Sequence, residues 1–268
     1  MNSSPLIAVA QYAPGPDRET NLAALRDLAG RAAGQGAVLV VFPEYSSYFT
    51  PKPDEGWVAN AETLDGPFVE GLAAIAAELQ IIVVAGMLEV SPLPGRCRNT
   101  IVAVGADGTL VATYPKLHLY DAFGASESRW VEPGEIGTPQ LFDVAGLRVG
   151  IQTCYDLRFP EVTRRLVDAG ADVVLVPAEW VAGPGKRHAW VTLATARAIE
   201  NTVYLAGADH PPPVGAGASL IVDPMGEQLA FIDDSVDVAL ASLDRARLDE
   251  VRRINPALQL RRFRVEPL

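Results

Sequence analysis

Apolar positions along this chain switch repeatedly between the two-residue period of a strand and the longer period of a helix. Leu6 to Gln11 reads as a first strand. Asn21 to Ala33 puts Leu25, Leu28, Ala29 and Ala32 on one helical face, and Gly34 and Gly36 mark its end. Ala37 to Phe42 is an unbroken apolar run, a buried strand stopped by Pro43. Pro67 opens a second helix through Glu78, with the stripe Leu72, Ile75, Ala76 and Leu79, and Ile81 to Glu89 returns as a strand.

Further along, the pattern adds hairpins. Thr100 to Val104 and Thr109 to Tyr114 flank Ala106-Asp107-Gly108, a turn signal between two strands. A long loop from about His118 to Pro139 follows, and loops of that length are often functional. Leu141 to Val144 and Leu147 to Thr153 form another hairpin around Ala145-Gly146. The remaining elements are a helix at Pro160 to Ala169, a strand at Ala171 to Pro177 and a helix at His188 to Glu200. After them come a strand at Thr202 to Ala206, a hairpin from Ala218 to Phe231, a strand at Val238 to Leu243 and a helix at Arg245 to Arg253. Strand–helix–strand units require helices packed on sheet faces, and hairpins require antiparallel neighbours. Two mixed sheets with outer helix layers satisfy both. No break in composition divides residues 1–268, so a single α/β domain is expected, with a weakly periodic tail at about 255–268 that carries Arg261, Arg262 and Arg264.

Composition narrows the partners. A net charge of −11 argues against nucleic acid or an anionic membrane, whose phosphates would be repelled. No apolar run reaches the roughly 18 residues of a membrane span. Leu6 to Gln11 lacks the basic flank and length of a signal peptide. The two cysteines, Cys97 and Cys154, lie in different contexts and suggest free thiols. Together these features predict a cytoplasmic protein.

Candidate chemistry gathers where predicted strands end. Cys154 follows the alternating Leu147, Val149 and Ile151 and precedes a helix marked by Pro160, so the Tyr155 backbone N–H faces the same place. Glu44 lies just past one strand and Lys116 just past another. A carboxylate can take a thiol proton, and an ammonium favours the thiolate and stabilises an oxyanion. Each residue also has a plain alternative: a small buried hydrophobe for the cysteine, solvated surface groups for the other two. Glu179 and Trp180, just past the strand ending at Pro177, are candidates for a substrate wall, with a packed aromatic and a solvated neighbour as the alternative. Arg158 is expected to act structurally, bracing the cysteine turn or pairing with Glu161. His118, His188 and His210 show no metal-ligand spacing, and Gly183-Pro-Gly-Lys186 lacks the context of a phosphate loop. Neither a metal nor a cofactor is implied.

Three strings change the balance. Phe42-Pro-Glu-Tyr45, Tyr114-Pro-Lys-Leu-His-Leu-Tyr-Asp121 and Thr153-Cys-Tyr-Asp-Leu-Arg-Phe-Pro-Glu161 resemble the signature segments of the nitrilase superfamily of carbon–nitrogen hydrolases, in the family's order. Ala194-Thr-Ala-Arg-Ala-Ile-Glu-Asn201 is similar to a further family segment. The resemblance implies a four-layer α-β-β-α sandwich with Glu44, Lys116 and Cys154 as catalytic triad and Glu127 as a second glutamate beside the lysine. It implies an amidase of the Nit type, a group that includes ω-amidases and deaminated-glutathione amidases. Such an enzyme hydrolyses a small linear amide to acid and ammonia through a thioester. Carbamoyl and nitrile substrates stay open. So do two other classes: a catalytically silent binding protein of the same fold, and a metal-dependent amidohydrolase. The family also implies a homodimer or higher oligomer, with the tail crossing to the partner.

Overall fold

A computed structural model describes residues 4–268. The first half builds a sheet from β1 (Leu6–Gln11), β2 (Ala37–Val41), β3 (Ile82–Val90), β4 (Cys97–Val104) and β5 (Leu110–Pro115). Helices α1 (Arg18–Gly34) and α3 (Pro67–Leu79) cross between the parallel strands β1, β2 and β3, with the short α2 (Glu55–Ala59) between them in sequence. Strands β3, β4 and β5 then run antiparallel, and the two-residue β6 (Val131–Glu132) pairs with β4.

The second half repeats the plan. Strands β7 (Leu141–Val144) and β8 (Leu147–Ile151) form the expected hairpin. Helices α4 (Pro160–Asp168) and α5 (Lys186–Asn201) connect β8 to β9 (Val173–Pro177) and β9 to β10 (Tyr204–Ala208), all parallel. The antiparallel β11 (Ser219–Val222) and β12 (Gln228–Ile232) complete this sheet. Strand β13 (Asp237–Ser242) returns to pair with β1 in the first sheet, and α6 (Arg245–Ile254) follows it. The strand orders are β13-β1-β2-β3-β4-β5 and β12-β11-β10-β9-β8-β7.

Strand alternation assigns the layers. Ile7 and Val9 of β1 point into the core between the sheets, whereas Ala8 and Ala10 face α1 and α3. Likewise Val173 and Leu175 of β9 face the central core, and Val174 and Val176 meet α4 and α5. Both faces of each sheet are therefore covered, and the parallel strands read as continuous apolar runs. The four layers are helix, sheet, sheet, helix.

Three departures from the sequence expectation have local causes. Helix α1 starts at Arg18 rather than Asn21, because Asp17 caps it by accepting from the Thr20 N–H at 2.8 Å; its polar first turn carries no apolar period. Helix α2 is a five-residue piece capped by Asp54, too short to show periodicity, that buries Trp57. Strand β10 starts two residues later than expected because Thr202 closes α5 in a left-handed conformation (φ 47°). Among the described residues no helix is long and apolar enough to cross a membrane.

Candidate active site

Each candidate side chain is delivered by the end of a strand. After β2, the Phe42 N–H donates to the Val84 carbonyl and the Gly86 N–H to the Pro43 carbonyl, which lays the Glu44 segment on β3. Gly86 is required for that approach: a β-carbon there would stand 2.6 Å from the Tyr45 nitrogen and 2.7 Å from the Glu44 α-carbon. Lys116 directly follows β5, its N–H donating to the Asn99 carbonyl at 2.8 Å. Cys154 opens a 3-10 turn (Cys154–Arg158) after β8 in the other sheet. Its φ of 44° is an uncommon value for a non-glycine residue and marks stored backbone strain. The first N–H groups of such a turn lack internal partners, so Tyr155 N–H is at a position free to meet a ligand oxygen.

The three residues line one cavity of about 700 Å³, together with Glu127. Lys116 Nζ donates to Glu44 Oε1 at 2.9 Å and to Glu127 Oε2 at 2.9 Å. Asn99 Nδ2 donates to both carboxylates, at 2.6 Å and 3.1 Å. Glu127 also accepts from the Tyr45 hydroxyl and, at 2.6 Å, from the Tyr120 N–H. The backbone of Glu179 joins base to thiol: its N–H donates to Glu44 Oε2 at 2.7 Å, and its carbonyl accepts from Cys154 Sγ at 3.3 Å. Glu44, Lys116, Glu127 and Cys154 are all buried.

Burial sets the charges here. The Cys154 thiol is pushed well above its ordinary pKa by desolvation and then by Glu44, so it rests protonated and needs a base to react. The Glu44 carboxyl is raised by burial, with Lys116 opposing, which makes it a stronger base than a surface glutamate. For Glu127, burial works against ionisation, but Lys116 and the Tyr45 and Tyr120 hydrogen bonds outweigh it and hold the carboxyl low. Lys116 likewise is raised well above normal, since two carboxylates overcome its desolvation.

A narrow recess opens beside Cys154, lined by Glu179, Trp180, Arg158 and Lys186. Trp180 is buried against Trp190, and its indole N–H donates to the Lys186 carbonyl. The Arg158 guanidinium lies 4.9 Å over the Trp180 ring and 5.8 Å from that of Phe123. No ion pair joins Arg158 to Glu161, so the expected pairing is not made; the turn directs the guanidinium toward the aromatic wall. Arg197 of α5 braces the cysteine turn instead, donating twice to the Leu157 carbonyl at 3.1 Å and 2.8 Å.

The carbon–nitrogen hydrolase family model matches residues 6–253. The chain belongs to this family. It is 40% identical over 264 residues to hydrolase Rv0480c of Mycobacterium tuberculosis, covering 89% of this chain and 92% of that one. It is 36% identical to the deaminated glutathione amidase of Escherichia coli O157:H7, covering 96% and 97%. Among solved structures, NitFhit of C. elegans superposes with a TM-score of 0.88 at 29% identity; the match covers 97% of this chain and 65% of that one. An amidase from Nesterenkonia sp. gives 0.78 at 28%, covering 97% and 98%. A glutamate-to-glutamine variant of that amidase carries the acetamide moiety of fluoroacetamide covalently on its active-site cysteine. The fold is thus the sandwich of the nitrilase superfamily, and the protein is an amidase of that group.

In this hydrolase the cavity gathers Glu44, Lys116, Cys154, Glu127 and Glu179, and the residues that hold them include several the sequence reading did not assign. Asn99 and Tyr45 are polar groups at buried positions, and Asn99, just ahead of the strand read from Thr100, carried no sequence signal of its burial. Asp156 accepts from the Thr153 N–H, the Tyr114 hydroxyl and both the backbone and Nδ1 of His118. It ties the cysteine turn to the strand end that bears Lys116, and His118 serves it structurally. Glu179 is largely buried beside Cys154 rather than solvated. His210 Nε2 donates to the Glu44 carbonyl at 2.8 Å, and Asp209 accepts the Trp180 N–H at 2.7 Å. No sequence period announces these two.

Proposed function

We propose that Cys154, Glu44, Lys116 and Glu127 form the catalytic centre of an amidase that cleaves a small linear amide through a thioester. The observation that carries this is the backbone of Glu179, whose N–H holds the Glu44 carboxylate and whose carbonyl holds the Cys154 thiol while Lys116 grips the same carboxylate. Cys154 Sγ attacks the amide carbon as Glu44 takes the thiol proton. The carbonyl π electrons move to oxygen, where the Lys116 ammonium and the Tyr155 N–H stabilise the charge. Glu44 passes its proton to the leaving nitrogen, the C–N bond breaks, and ammonia departs. Water then attacks the thioester with Glu44 again as base, and the acid leaves as Cys154 regains its proton. Glu127 keeps Lys116 charged and aimed throughout.

Arg158 and Lys186 at the recess favour an acyl chain ending in a carboxylate. Such a chain suits an ω-amidase or an enzyme resembling the deaminated glutathione amidases among its relatives. The decisive experiment is a panel of linear amides, carbamoyl compounds and nitriles, with mass spectrometry of Cys154 after quenching. An acyl adduct of the amide series on Cys154, activity lost in Cys154→Ala and on alkylation, and indifference to chelators are expected. Turnover that survives Cys154→Ala, or that only a chelator stops, would sink the assignment. The free buried cysteines suit a cytoplasmic enzyme, and the end of the tail, with Phe263 exposed, suits a homodimer arm.

A further inference from the structure

The two glutamates that grip Lys116 differ in how fully their oxygens are used. Glu127 Oε1 accepts from the Tyr45 hydroxyl, from Asn99 Nδ2 at 3.1 Å and from Lys116 Nζ at 3.2 Å. Its Oε2 accepts from Lys116 Nζ at 2.9 Å and from the Tyr120 N–H at 2.6 Å. A carboxylate oxygen offers about two lone-pair sites, so Glu127 has none left for a proton. On Glu44, Oε1 is filled in the same way, by Lys116 Nζ at 2.9 Å and Asn99 Nδ2 at 2.6 Å. Among the described residues Oε2 accepts only the Glu179 N–H, at 2.7 Å. That oxygen keeps a free site, and it is held by the residue whose carbonyl holds Cys154 Sγ.

Asn99 serves both glutamates. Its side-chain nitrogen carries two N–H groups and gives one to each carboxylate, while its Oδ1 is buried without a partner among the described residues. An orphaned buried acceptor is costly. Turning the amide over would set Oδ1 against two carboxylates, which costs more, so the carboxylates fix its orientation. Asn99 is fully buried in β4 and does not line the cavity, so it acts through the glutamates rather than on substrate. We infer that Asn99 is the positioning residue of the base: it closes Glu44 Oε1, leaves Oε2 as the proton carrier, and helps keep Glu127 out of proton transfer. The inference rests on the amidase assignment above. As sulfur attacks, the Sγ–H bond breaks and an Oε2–H bond forms, and that proton then passes to the leaving nitrogen. The titratable groups around Glu44 are Lys116, Glu127, Tyr45, Cys154, Glu179 and Asp209. Only Lys116 among them is a cation, so none of the others can replace the Asn99 donor in favouring the Glu44 anion.

The test is the pH dependence of kcat/KM for the most active linear amide of the panel, and of Cys154 alkylation by iodoacetamide, in wild type, Asn99→Leu and Asn99→Asp. Asn99→Leu keeps the volume and removes both N–H groups. Its acid limb moves up by about one pH unit or more in both measurements, the loss of one hydrogen bond to a charged group. Its kcat falls about tenfold or more, with KM within about threefold of wild type. Asn99→Asp raises the limb at least as far, because a third carboxyl joins the pair; being near-isosteric, it covers the case in which leucine disturbs the fold. A purely structural asparagine would lower the melting temperature and leave both limbs at their wild-type positions, and that result overturns the inference. A rise in KM with kcat and limb unchanged overturns it too. If wild type yields neither ammonia nor a Cys154 thioester, the amidase assignment falls, and the alkylation limb, which needs no substrate, still decides the role of Asn99.

Discussion

Glu44 carries the heaviest demand of any residue, since the proposed cycle uses it as base, acid and base again. Its carboxyl is raised by burial, so the proton it must shed to act comes off above the ordinary glutamate range. The acid limb of kcat/KM should therefore lie above that range, with activity falling as pH drops through it; a limb at the surface-glutamate value would argue against Glu44 as base. Lys116 is different, because it neutralises two buried carboxylates at once. Lys116→Met leaves Glu44 and Glu127 facing each other, costing about 3–5 kcal/mol of stability as well as most of the turnover. Adding Glu127→Gln should recover part of that stability in a denaturant titration and none of the activity. His210, which holds the backbone of Glu44 rather than its carboxyl, offers a check on stability. Burial lowers its pKa to about 4 from 6.5, so the unfolded chain binds the extra proton between those values. Stability should fall as pH drops from 6.5 to 4, by about 3 kcal/mol from this group, and His210→Phe should flatten that segment of the curve.

At the scale of elements, most of what positions the site was legible because it depends on strand ends. Apolar runs stopping at Pro43, Pro115 and Thr153 marked the places where Glu44, Lys116 and Cys154 emerge, and parallel strands bring such ends to one edge. Braces were not legible in the same way. Arg197 looks like any polar helix residue until α5 packs against the cysteine turn, and Arg158, closer in sequence, seemed the better brace. Asn99 lies just ahead of the strand read from Thr100 to Val104, yet it belongs to β4 and bridges two carboxylates. Such roles arise from tertiary contact and leave no period. Arg197→Met removes both bonds to the Leu157 carbonyl and exposes a strained turn to relaxation. A fall of about tenfold in kcat and slower alkylation of Cys154 are expected, against no change in either if the turn holds itself.

For the whole molecule, the tail divides at Arg261. Up to that point it serves its own subunit: Leu258 packs on the layer of α4 and α5, and Arg261 pairs with Asp168 at 2.6 Å. Beyond it, Phe263 is 91% exposed, and nothing among the described residues covers it. An aromatic held out by an anchored segment costs little in the monomer only if it has somewhere else to bury, and a second copy supplies the nearest surface. Truncation after Arg261 should therefore leave the fold and its melting behaviour close to those of the full chain but shift sedimentation from dimer toward monomer. Truncation after Ile254 removes the anchor as well, exposes the ground under Leu258, and should lower stability in addition. If both versions sediment as the full chain does, the association surface lies on the helix layers and the tail has no part in it.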